Sequence, residues 1–161
     1  MPKVHKKYKD TLLWYEFEKW NNENDYQIVK NGDYYESAIP EQTLSQKRGS
    51  KLCVVESSFN HRIQGSFYCS LGWTMQFDRA DTLAVEGAIQ LLKATGQTEG
   101  YLTDANDETH YEVPLSTIEA VKIEMLAAYA ACHARKQELR TAINAAQNEE
   151  ELDAIEITWP V

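Results

Sequence analysis

Every seventh residue from Ile118 onward is apolar or small: Ile118, Met125, Cys132, Leu139 and Ala146. Val121, Ala128, Tyr129, Ala142 and Ile143 widen that line into a stripe. Only a helix gathers residues at this spacing onto one face. The stripe therefore demands one continuous helix from Ser116 to about Ala146, on the order of 45 Å long at 1.5 Å per residue. A rod of that length cannot bury its own apolar face, so the rest of the chain must pack along it. "STIE" at its start has the pattern of a capping box, Ser116 bonding forward and Glu119 bonding back.

The same stripe governs Cys132 and His133, which side by side suggest a ligand pair or a nucleophile with its base. Cys132 falls on the apolar line, where a free cysteine behaves as a small hydrophobe. His133 is one residue on, about 100° around the helix, and adjacent helical residues do not face each other. Packing is the expected role of Cys132. The remaining histidines, His5, His61 and His110, stand in segments with no recognised ligand spacing. Sustained heptads also suit a coiled coil, but the complementary positions read Val121, Ala128, Arg135, Ala142, and Arg135 interrupts them. The face carrying Ile118, Met125, Cys132, Leu139 and Ile143 is expected to pack on its own domain, with a homo-oligomer contact as the alternative.

Upstream, "DRADTLAVEGAIQLLKATG" is a second helix. Asp78 or Asp81 can accept the free first-turn N–H groups. Leu83, Val85, Ala88, Ile89 and Leu92 supply an apolar face, and Gly96 suits the left-handed residue past the end. Between the two helices, "GYLTDANDETHYEVP" pairs β-prone runs about Asn106–Asp107 and reads as a hairpin. Its acids do not make a calcium loop, because counting from Asp104 the central glycine and closing glutamate are missing. No metal is expected. Leu52, Val55, Phe59 and Ile63 predict a helix from about Lys51, and Gly65 and Gly72 bracket a turn-rich piece. After the long helix, "QNEEELDAI" restarts a short one capped by Asn148, and "EITWPV" leaves as an extended tail.

The front of the chain has a different composition. Tyr8, Trp14, Tyr15, Phe17, Trp20, Tyr26, Tyr34 and Tyr35 all precede residue 41 and are nearly half of the aromatics. "YQIVKNGDYYESAI" reads as a hairpin turning on Asn31–Gly32, both tolerant of positive φ. "TLLWYEFEKW" is ambiguous: Leu13, Phe17 and Trp20 fit a helix face, and Leu13, Tyr15 and Phe17 fit a strand face. The neighbouring hairpin tips the reading to strand. "SAIPEQTLSQKRGS" reads as a linker, with Pro40 breaking structure and Gly49–Ser50 adding flexibility. The expected fold is thus α+β. A small β-hairpin N-terminal part with its linker spans 1–45. A mainly helical module spans 46–161, with an inserted β-hairpin and one long C-terminal helix.

Acidic residues outnumber basic ones 25 to 16, for a formal charge of −9. Such a chain repels phosphate backbones, so nucleic acid is not an expected partner. The basic run "KVHKKYK" near the start reads as a solvated arm. Three cysteines without close spacing argue against a disulfide framework. No apolar run approaches the roughly 18 residues of a membrane span. The sequence holds no G-x-S-x-G, no P-loop and no G-x-G-x-x-G. No enzyme, no cofactor and no membrane association is expected, and a cytoplasmic site of synthesis is.

Several features together carry a family resemblance: the Asp78–Asp81 opening, the "EGAIQLL" helix, the "YLTDAND" hairpin and the closing "LRTAINAAQNEEEL". Over residues 65–155 the chain resembles a small domain found in tailed-bacteriophage proteins encoded among tail-fibre and tail-fibre-assembly genes. The aromatic β-rich front, then "AIPEQT", then a helix is similar in layout to tail-fibre assembly proteins. The resemblance implies a non-enzymatic tail accessory protein whose partner is a tail fibre or baseplate protein. It would act in the host cytoplasm during assembly, and in the virion tail if retained. Trp14, Tyr15, Phe17, Trp20, Tyr34 and Tyr35 are the residues expected to dock on that partner, since exposed aromatics are good anchors. The alternative is a carbohydrate-binding host-recognition module, with aromatic faces stacking on sugar rings and nearby carboxylates bonding hydroxyls.

Overall fold

The computed structural model describes residues 3–5 and 12–160. Its fold is α+β, with small antiparallel hairpins and one long helix near the C-terminus. The chain divides into two compact units, 1–43 and 44–161.

The first unit is a helix with a small sheet. Helix α1 (Leu12–Glu23) lies between β1 (Lys3–His5) and the hairpin β2 (Gln27–Asn31) and β3 (Tyr34–Ala38). The sheet order is β1-β3-β2, antiparallel throughout. The strand expected at "TLLWYEFEKW" is a helix. Trp14, Phe17 and Asn21 at i, i+3 and i+7 are buried, whereas Leu13 and Tyr15, two members of the alternating set, face water. The 3.6-residue period therefore prevails over the alternation. Asp25 stops the helix in the left-handed region (φ 57°), and the Tyr26 N–H returns to the Asn21 carbonyl at 2.9 Å. The hairpin turn is centred one residue later than expected. Asn31 closes β2 opposite Tyr34, and Gly32 (φ 61°) takes the first central position. Lys3–His5 of the basic run form β1 rather than a solvated arm, while Lys6, Lys7, Tyr8 and Lys9 lie outside the described residues.

The second unit opens earlier than expected. Helix α2 runs Leu44–Ile63, so Gly49 and Ser50 sit inside it and not in a linker. Val55 and Phe59 are buried from its expected face. The turn-rich piece is a hairpin, β4 (Ser66–Tyr68) with β5 (Thr74–Gln76). Helix α3 (Arg79–Thr95) is capped as expected. Asp78 accepts from the Asp81 N–H at 2.8 Å, and Gly96 (φ 67°) ends the helix. Leu83, expected on the apolar face, is exposed instead; Ile89 and Leu92 carry the burial. The hairpin β6 (Glu99–Thr103) with β7 (Thr109–Pro114) follows, with Asp107 at positive φ (61°) in its turn. Leu102 and Val113 point inward, while Tyr101 and Tyr111 point out.

The long helix, α4 (Leu115–Ala145, 31 residues), starts directly from β7. Pro114 occupies the N-cap place and no side chain caps the helix, so the expected Ser116–Glu119 capping box does not form. Ser116 is already inside the first turn, and Glu119 pairs with Lys93 of α3 at 2.7 Å. Ile118, Met125, Cys132, Leu139 and Ile143 are all buried within their own unit. Ile118, Val121, Met125 and Cys132 join one core with Phe59, Met75, Phe77, Ile89, Leu92 and the β6–β7 hairpin. Leu139, Ile143 and Ala146 join a second with Val55 and Leu152 of the short helix α5 (Glu149–Asp153). Asn148 caps α5, accepting from the Glu151 N–H at 2.8 Å.

Lys136 lies on the same stripe, yet is buried. Its ammonium donates to Glu56 at 2.7 Å and sits 4.4 Å from the centre of the Phe59 ring. Arg135, the interruption in the heptads, faces the C-terminal tail and donates to the Thr158 and Glu156 carbonyls. The tail is extended but docked: Trp159 packs near Phe59 and donates its indole N–H to Ser58 Oγ at 2.6 Å. Among the described residues no helix is long and apolar enough to cross a membrane.

Candidate functional site

The six aromatics expected to bind a partner separate into two sets. Trp14 (8% exposed) and Phe17 (4%) are the core of the first unit. Their rings lie 5.7 Å apart, and Trp14 meets Tyr35 of β3 edge-on at 5.0 Å. Tyr35 is half-buried. Trp14 and Phe17 are thereby corrected from contact residues to structural ones, while Tyr35 packs on Trp14 and keeps part of its surface exposed. Tyr15 (63% exposed), Tyr34 (50%) and Trp20 (39%) remain on the surface. Trp20 tilts against Tyr26, with ring centroids 5.4 Å apart. Beside Tyr15 the solvent face of α1 forms a shallow hollow with Glu18, Lys19, Asn22 and Glu23.

In the sheet of this unit, β2 is an edge strand. Its outward N–H and C=O groups are able to accept an added strand. The unit also holds two buried polar atoms, Asn21 Oδ1 and Ser37 Oγ, with no hydrogen-bond partner among the described residues.

In the second unit Cys132 and His133 lie as the helical spacing predicts. Cys132 is buried, and burial pushes its thiol up while Arg62 pulls weakly the other way. His133 is exposed and stacks beside Tyr129 with centroids 6.3 Å apart. The pair shares no face. A groove of about 400 Å³ lies between α3 and β6, lined by apolar side chains such as Val85, Leu91, Tyr101 and Met125.

One constellation was not expected from the sequence. The β6–β7 hairpin brings Asp104, Glu108 and His110 together, with one donor atom of each within 4.8 Å of the others. Asp104 is buried (8% exposed), and its Oδ1 accepts from the N–H groups of Asn106 at 2.8 Å and Glu108 at 3.0 Å. Burial alone would raise this carboxyl; the two N–H donors, with the Asn106 amide and His110, outweigh it and hold the carboxyl below its usual value. His110 stacks flat on Trp73, centroids 3.9 Å apart and planes 6° from parallel. Its Nε2 lies 3.6 Å from Asp104 Oδ2. The signal was the hairpin register. Thr103 opposite Thr109 and Leu102 opposite His110 fold Asp104 back toward His110, a closure that linear ligand spacing does not display.

An α+β module built along one long helix, preceded by a small aromatic unit, is the class these features define. The chain belongs to the family described as a domain of unknown function, DUF4376, whose sequence pattern matches residues 46–156. No curated protein and no solved structure matches the chain.

Proposed function

We propose that the protein is a non-enzymatic accessory protein of a bacteriophage tail that binds a tail fibre or baseplate protein through its N-terminal unit. The exposed aromatic set Tyr15, Trp20 and Tyr34 on a separate small unit is the observation that carries the binding role. Aromatic side chains supply large contact area with few rotamers and dominate interface energetics. The edge strand β2 offers a second mode, main-chain pairing with the partner. The tail setting rests on the resemblance of residues 65–155 to the tail-fibre-associated group. Under this reading the family module is the rigid body and the first unit is the grip. The protein is made in the host cytoplasm and either stays in the virion or leaves after assembly.

Quantitative mass spectrometry of purified particles tests the two fates. A fixed copy number per particle means a tail subunit. Absence from particles, with the fibre protein co-purifying from infected cells, means an assembly factor. Absence from both refutes the proposal.

A second reading has one observation in its favour. The hollow on α1 sets Tyr15 among Glu18, Asn22 and Glu23, an aromatic face beside hydroxyl-bonding groups. This suits a surface carbohydrate. Saturable binding of the isolated protein on a bacterial glycan array, lost in Tyr15→Ala, would favour it over protein capture.

A further inference from the structure

We propose that Asp104, Glu108 and His110 bind one divalent transition-metal ion of the zinc class. The inference is independent of the tail-accessory reading and concerns a different unit of the chain.

The His110 Nε2 atom is shielded from water and has no hydrogen-bond partner among the described residues. Its neighbour, Asp104 Oδ2, stands at 3.6 Å. That separation exceeds the roughly 2.7–3.2 Å of an N–H···O bond. It is close to the ~3.3 Å edge of a tetrahedron whose metal–ligand bonds are ~2.0–2.1 Å. A cation seated between the two atoms would give the His110 Nε2 its missing partner with a small adjustment. Glu108 brings the third donor into the same 4.8 Å cluster. Its side chain is exposed and moves at little cost.

The surroundings hold the donors in place. Asp104 Oδ1 is fixed by two backbone N–H groups, while Oδ2 faces His110 and accepts only a long 3.4 Å bond from the Asn106 amide. Trp73 fixes the plane of the imidazole from the neighbouring hairpin. The Ala105 N–H donates to the Thr74 carbonyl at 2.7 Å and ties the ligand loop to β5. The turn after β4 is anchored in turn to α4, where the Ser70 N–H donates to Glu124 at 2.7 Å. The N–H groups on Asp104 are outer partners of the kind that orient a ligand and raise affinity.

The donor set selects the ion class. One imidazole with two carboxylates suits zinc and its first-row neighbours, and the two carboxylates balance a divalent charge. Calcium asks for six to eight oxygens, which this loop does not supply. Three protein donors leave a position for water.

The test titrates Zn2+ into tag-free, metal-free full-length protein by calorimetry and reads Co2+ binding by its visible d–d spectrum. One ion per chain is expected, with the band intensity of four- or five-coordinate cobalt. Affinity should fall by at least the roughly 10–100-fold that losing even an outer partner costs in Glu108→Gln, and further in His110→Gln. Glu108→Gln alters an exposed side chain, so unchanged circular dichroism keeps the result interpretable even if His110→Gln loosens the hairpin. Absence of binding to the wild type overturns the proposal. Equal binding by the wild type and Glu108→Gln also overturns it.

Discussion

Trp14 and Tyr15 are adjacent in the chain and opposite in role. Trp14 is wedged between Phe17 and Tyr35, and Tyr15 points into water. Replacing a buried Trp or Phe by Ala costs about 3–5 kcal/mol, which is as much as a small core supplies in total. Trp14→Ala is therefore expected to unfold the first unit while leaving the second intact. Hydrogen exchange should show lost protection across 12–38 and unchanged protection in α4. Tyr15→Ala and Tyr34→Ala should each shift stability by no more than about 0.5 kcal/mol. The distinction was only partly legible beforehand: aromatic content marked the segment, but which ring faces inward depends on the helical phase. Asp104 gives a second test at this scale. Its carboxyl is held below the ordinary value by N–H donors present only in the folded hairpin. The stability it adds is present above the unfolded value near pH 4 and is lost as pH falls through the lower folded value. In metal-free buffer the wild type should lose melting temperature as pH drops below about 4. Asp104→Asn should melt lower at neutral pH and show a flatter acid limb.

At the scale of elements, two sequence signals of the same kind had different outcomes. "STIE" and Asn148 both read as N-terminal caps. Only the second forms, with Asn148 Oδ1 accepting from Glu151 N–H and Glu151 accepting from the Gln147 N–H at 2.7 Å. The first fails because β7 passes into α4 through Pro114, whose fixed φ starts the helix one residue before Ser116. Asn148→Ala is expected to cost about 1 kcal/mol, whereas Ser116→Ala should stay within about 0.5 kcal/mol. Paired urea melts would show the difference. The apolar stripe of α4 was legible because burial imposes its spacing directly. Lys136 was not, because a lysine on that stripe reads as surface. Its burial depends on Glu56 and Phe59, both contributed by α2. Arg135 was read as an interruption for a related reason, since the tail carbonyls it meets are about 20 residues further along the chain.

For the molecule as a whole, the second unit contains both apolar clusters and the whole of the family match. Residues 44–161 expressed alone should keep their helical fold. Within that unit the tail covers the seam between α2 and α4 through Ile155, Ile157 and Trp159. Truncation after Ala154 is expected to cost on the order of 3 kcal/mol, as these side chains return to water. Helices α2 to α5, the β2–β3 and β6–β7 hairpins and the change of character near residue 45 were visible in the sequence as periodicity, turn residues and composition, whereas α1 was read as a strand and the β4–β5 hairpin only as a turn-rich piece. The Asp104–Glu108–His110 cluster was not, because it depends on hairpin register and on a ring from a separate hairpin. Capture from infected-cell lysate tests the binding proposal most directly. It compares the wild type, the Tyr15→Ala/Trp20→Ala/Tyr34→Ala variant and residues 44–161. The wild type should retain a tail fibre or baseplate protein in fixed ratio, and the other two should lose it while remaining folded. Retention of no tail protein by the wild type, or equal retention by all three, would contradict it.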